Sequence, residues 1–175
     1  MKEQLNRRLF RTAFLVVVLA AIAAPAISDE LEPVQQDVLE LSQAMYRGDL
    51  DTILRFSHPK AIEMLGGPTS ARATLETAIQ PILEIGMTLE AFSFPQPPEY
   101  IQGEERRFAI VPTLSIIAAQ GQRIESLNYQ FGILEPGAEG WTYLEGSRIN
   151  QQNVRGFFLD FPADYVFPEF YRKRL

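Results

Sequence analysis

The sequence predicts an α+β domain in which N-terminal helices pack on a mainly antiparallel sheet. Two observations predict it. Up to Gly86, apolar residues recur at helical spacing; beyond it they alternate with a period of two. The alternating segments are joined by short turns rich in Gly and Pro, which suit hairpins rather than parallel crossovers. Helices first and strands second is the order of an α+β domain.

The first residues stand apart from this pattern. Lys2, Arg7, Arg8 and Arg11 precede an apolar run from Ala13 to Ala24, and Pro25-Ala26-Ile27-Ser28 follows. A basic front, an apolar run and small residues at a cleavage site form the layout of a secretory signal. Residues 1–28 are therefore read as a signal peptide and 29–175 as a single domain, exported to the periplasm or secreted. The alternative is an N-terminal membrane anchor, but the apolar run is shorter than the roughly 20 residues a spanning helix needs.

Residues 29–175 carry 12 Lys and Arg against 21 Asp and Glu, a balance of −9. That surface repels nucleic acid and anionic lipid. The chain has no cysteine, so disulfides, thiol nucleophiles and thiolate metal sites are excluded.

In chain order, Leu31 to Arg47 reads as an amphipathic helix with Val34, Val38, Leu41 and Met45 on one stripe. Pro33 suits its first turn, and Gly48 its end. Asp49 caps a second helix through Phe56. His58-Pro59 interrupts, because a residue before proline is pushed out of the helical region. Pro59 to Leu65 is a third short helix. A fourth runs from Pro68 to about Ile85, capped by Thr69 or Ser70, with Pro81 inside it.

Met87, Leu89 and Ala91 then alternate with Thr88, Glu90 and Phe92 as a strand, which Pro95-Gln96-Pro97-Pro98 ends. Arg106 to Ala118 is the second strand, and Pro112 inside it argues for an edge position or a bulge. After the turn at Ala119-Gln120-Gly121, Arg123 to Leu134 is a one-sided strand with Leu127, Tyr129, Phe131 and Ile133 on one face. Trp141 to Leu144 is the last strand. Asn150 caps a short helix through Phe157, and the aromatic tail FLDFPADYVFPEF straps across the domain.

The helix ending YRGDLDTILRF, the helix pair and longer helix after it, and the Trp-led strand GWTYLEGSRI resemble the nuclear-transport-factor-like superfamily, which includes ketosteroid-isomerase-like and SnoaL-like proteins. The ending FFLDFPADYVFP and the step His58-Pro59-Lys60 resemble a group of exported, uncharacterised members. The resemblance implies a cone-shaped fold, a curved sheet wrapped on the helices, and a pocket between them. In the isomerases that pocket holds a carboxylate base and a hydrogen-bond donor. Here the strand residues that would line it are apolar or aromatic, and Glu125 and Glu145 lie near strand ends, so the isomerase pattern is not met.

His58 is the only histidine and the one candidate general base. It needs an orienting carboxylate, for which Asp51 and Glu63 are the nearest choices. The structural alternative has the imidazole ending the second helix on a free carbonyl. Asp49 and Asp51 fall short of a metal-ligand set, and capping accounts for Asp49. Arg148, just past the last strand, is a candidate anchor for an anionic ligand, against ordinary solvation. Ligand-binding candidates are Tyr46, His58, Tyr129, Phe131, Trp141 and Tyr143, which suit a small apolar ligand or plain core packing. There is no phosphate loop, nucleophile elbow or zinc helix. The expectation is an exported, non-catalytic domain, without cofactor or metal, that binds a small apolar ligand or a protein partner, including a homodimer through the sheet face. The alternative is an isomerase- or cyclase-like enzyme with His58 as base and Tyr129 or Tyr46 as donor.

Overall fold

The computed structural model describes residues 31–175; the expected signal peptide, residues 1–28, lies outside the described residues. Four helices come first: α1 Pro33–Arg47, α2 Leu50–Phe56, α3 Pro59–Met64 and α4 Pro68–Glu84. Each start has a local cause. Glu32 caps α1 in a capping box with Gln35, and Pro33 takes the first position. Asp49 accepts the Thr52 N–H at 3.1 Å. Gly48 leaves α1 at φ +73°, a conformation a side chain resists.

Two expectations shift here. The N-cap of α4 is Gly67, at φ +91°, and not Thr69 or Ser70, because Pro68 already presets the first helical residue. On α1, Ala44 is buried and Met45 exposed. Ile53 of α2 and Ile79 of α4 close on Ala44 from the side and leave Met45 outside.

The sheet is built on one long hairpin, β3 Arg107–Ala119 and β4 Gln122–Leu134, paired residue for residue from Arg107↔Leu134 to Ala119↔Gln122. Gln120 and Gly121 turn it with φ of +50° and +76°, both positive as a type I′ turn requires. Four short strands flank the hairpin. On the β3 side lie β1 Thr88–Ser93, paired to residues 114–118, and β2 Glu99–Gln102, paired to 107–110. On the β4 side lie β5 Thr142–Glu145, paired to 130–133, and β6 Tyr171–Arg174, paired to 124–127.

Strand β3 is therefore central, contrary to the expectation from Pro112. The proline is tolerated because it falls in the gap between β2 and β1, where residues 111–113 have no neighbour on that side. The alternation expected of β1 holds only to Leu89. A register shift between Leu89 and Ala91 inserts Glu90 and turns Phe92 inward beside Phe94.

Both faces of the upper hairpin are covered, by different layers. Val34 and Val38 of α1 and Phe56 of α2 pack on Ala109, Val111 and Tyr143. Phe108, Ile110, Tyr129, Phe131 and Ile133 point the other way, onto Ile149, Val154, Phe158 and Phe161 of the C-terminal segment. The row Tyr129, Phe131, Ile133 thus faces the tail and not the helices. The helix-side row needs small residues: a Cβ on Gly132 would stand 3.2–3.3 Å from Tyr143, Ala109 and Trp141. The segment after β5 carries a 3₁₀ turn, Gly146–Arg148, and a four-residue helix, α5 Val154–Phe157. Asn150 accepts the N–H groups of Gln152 and Asn153 and so begins the turn before α5, rather than capping the helix itself.

Candidate functional site

Four segments meet around His58: α3, the start of β3, the end of β4 and the tail. Its ring is 2 % exposed. As N-cap of α3, it accepts the Lys60 N–H on Nδ1 at 3.2 Å. That leaves the proton on Nε2, which donates to Glu135 Oε1 at 3.2 Å. Glu135, just past β4, takes both oxygens to Arg106 Nε, at 3.0 and 2.8 Å. Arg106, just before β3, donates Nη1 to Asp160 Oδ1 at 3.0 Å, and its backbone N–H reaches Asp160 Oδ2 at 3.2 Å. Phe158 closes the ring of contacts, edge-on to His58 at 5.3 Å and under the Lys60 ammonium at 4.8 Å. Lys60 Nζ donates to the Phe157 carbonyl.

The electrostatics follow from this packing. Burial lowers the His58 pKa below its ordinary 6.5, against the opposing pull of Glu135. Burial alone would raise Glu135, but hydrogen bonds and charge from Arg106 and His58 outweigh it and hold the carboxylate below its ordinary value. The same holds for Asp160, where burial is outweighed by backbone N–H groups and by Arg106. The result is a continuous chain of hydrogen-bonded partners, His58–Glu135–Arg106–Asp160. It ties α3, the two strands of the long hairpin at their open end, and the tail.

A general base needs a free lone pair within reach of substrate. His58 offers none, because Nδ1 is occupied by backbone and Nε2 carries the proton given to Glu135. The carboxylate partner is Glu135 and neither Asp51, which pairs with Arg72, nor Glu63. The imidazole also opens α3 rather than ending α2.

The other candidates are dispersed. Tyr129 and Phe131 lie under the tail, and the Tyr129 hydroxyl donates to the Ile149 carbonyl at 2.6 Å. Burial pushes Tyr129 up to about 12. Trp141 and Tyr143 lie on the helix side, where Tyr143 donates to Asp37 Oδ2 at 2.9 Å. Burial first, and Asp37 second, raise Tyr143; burial also raises Asp37. These four aromatic residues do not line one cavity, because the sheet stands between the two pairs. Tyr46 alone lines a groove, an open one of about 460 Å³ between α1 and β1, with Leu39, Gln43, Arg47, Leu89 and Phe92. Arg148 is taken up by Glu145 at 3.2 Å. Among the described residues, no three His, Asp or Glu side chains cluster as metal ligands would.

Arg106, Glu135 and Asp160 escaped the sequence reading because they come together only through the hairpin and the tail, with Glu135 77 residues from His58. The one local hint is that Arg106 and Glu135 bracket the two longest strands.

Fold and site together define an α+β domain whose single sheet is covered by helices on one side and by its own tail, latched by ion pairs, on the other. No protein-family model matches the chain, and neither curated proteins nor solved structures give a match.

Proposed function

We propose that this is an exported, non-catalytic binding domain of the nuclear-transport-factor-like kind, taking a small apolar ligand in the groove between α1 and β1. The observation that carries the non-catalytic reading is the state of His58, whose two ring nitrogens are both engaged inside the protein. The superfamily reading is supported by the helices-then-sheet order and by the YRGD step, where Gly48 turns and Asp49 caps. Export is supported by the basic, apolar and small-residue succession of residues 1–28. The groove supports the ligand class: Leu39, Leu89 and Phe92 give apolar walls, and Tyr46, Gln43 and Arg47 give a few polar groups to orient a guest.

The test uses the neutral apolar dye N-phenyl-1-naphthylamine on wild type, Tyr46→Ala and His58→Asn. One saturable site, weakened at least about fivefold by Tyr46→Ala and little changed by His58→Asn, supports the reading. Absence of saturable binding to the wild type, or binding unmoved by Tyr46→Ala, removes the groove. Loss of binding in a folded His58→Asn variant shifts the reading to a site centred on the imidazole.

A further inference from the structure

Strand β6, Tyr171-Arg172-Lys173-Arg174, combines an open sheet edge with concentrated positive charge in an acidic chain of net charge −6. It pairs with β4 on one side, and among the described residues no strand pairs with its other edge. All four side chains are exposed. By strand alternation Arg172 and Arg174 share the helix-bearing face, while Tyr171 and Lys173 share the other. Lys173 and Tyr171 are both taken by Glu125, at 2.7 and 2.8 Å. Among the described residues Arg172 and Arg174 have no carboxylate at ion-pair distance.

We propose that β6 docks an extended acidic segment of a partner protein, which adds as the next strand and sets carboxylates opposite Arg172 and Arg174. The backbone groups of an open edge supply the ladder. Two guanidinium groups two residues apart on one face supply the selection, since a carboxylate at every second residue of an added strand meets both. A second copy is a poor occupant: edge to edge, it brings Arg172, Lys173 and Arg174 against the same three cations. A neutral strand leaves the two arginines without a counter-charge.

Basic residues also guard sheet edges against aggregation, so the test must separate docking from guarding. The probe is a labelled acetyl-Glu-Val-Glu-Val-Glu-Val-amide, titrated into the full chain with anisotropy and backbone amide shifts as readouts. The expected result has three parts. Shifts concentrate on residues 171–174. Affinity falls at least about tenfold in Arg172→Glu/Arg174→Glu, with a matching loss between about 50 and 300 mM salt. That variant gains binding to the corresponding Lys-Val peptide. Should the charge reversal disturb folding, Arg172→Gln/Arg174→Gln gives the same comparison, with loss expected and no gain. Equal binding by wild type and variants overturns the proposal. So does a wild type that takes up no peptide while its variants self-associate, which makes the arginines edge guards only. Phosphatidylglycerol vesicles that bind through residues 171–174 where the peptide does not bind overturn it in favour of a lipid surface.

Discussion

At the scale of single residues, His58 reconciles two demands with one ring. Its Nδ1 opens a helix and its Nε2 reaches across the fold to Glu135. Asn can reproduce the first contact, since its side-chain oxygen caps helices, but it is too short for the second. His58→Asn is expected to lower stability by about 1–3 kcal/mol, through the lost Glu135 bond and the gap left against Phe158. Urea unfolding followed by circular dichroism checks it. The same residue sets a pH window. Its folded pKa lies below 6.5, so the unfolded chain takes up a proton first as pH falls. Stability is then fully present above about pH 6.5 and drops below it, at no more than about 1.4 kcal/mol per pH unit from this group. Glu135 and Asp160, held below their ordinary 4.5 and 3.8, add a second decline at lower pH. In His58→Asn the first decline should disappear and the second remain. A variant that keeps the slope just below pH 6.5 would assign it elsewhere.

Among the elements, the hairpin and the chain around β5 show where close approach decides the fold. Gly146 lies under Tyr129: a Cβ there would run into the Tyr129 ring and carbonyl. Gly146→Ala should therefore cost about 2–4 kcal/mol, far more than Gly to Ala at an open position, and thermal melts check it. At the other end of β4, Gln120 holds φ +50°, which Asn tolerates better. Gln120→Asn creates the Asn-Gly pair favoured by type I′ turns and should stabilise by a few tenths to about 1 kcal/mol in the same melts. The ends of elements were legible in the sequence because their causes are local: Gly48, Asp49, Pro59 and the Gln120-Gly121 turn each act within a few residues. Strand β2 was not legible, because four residues after a proline cluster carry too little alternation to read. The facing of Tyr129 and Phe131 was not legible either. Alternation assigns them to one side but cannot say which layer covers that side. The candidate site was legible only at His58, whose partners Glu135, Arg106 and Asp160 are contributed by distant segments.

For the molecule as a whole, stability without a single cysteine rests on side chains that tie distant segments together. Tyr143 to Asp37, Tyr100 to Glu32 and Tyr165 to Glu99 each join elements more than 60 residues apart. The Arg106 pair of ion bonds does the same for the tail. Arg106→Met leaves Glu135 and Asp160 facing each other without their cation and should cost about 2–4 kcal/mol. Hydrogen exchange should show that loss first in residues 158–167, with the four helices still protected; uniform loss across the chain would mean that the tail is not a separate layer. The tail layer also imposes an order on biogenesis. Phe108, Ile110, Tyr129 and Phe131 are synthesised well before Phe158 and Phe161, the side chains that cover them. A growing chain therefore holds a finished hairpin sequence with one face of its sheet bare, and contacts this remote in sequence form slowly. The core between sheet and tail is therefore complete only once Phe158 and Phe161 have been made, however early the helix side has closed.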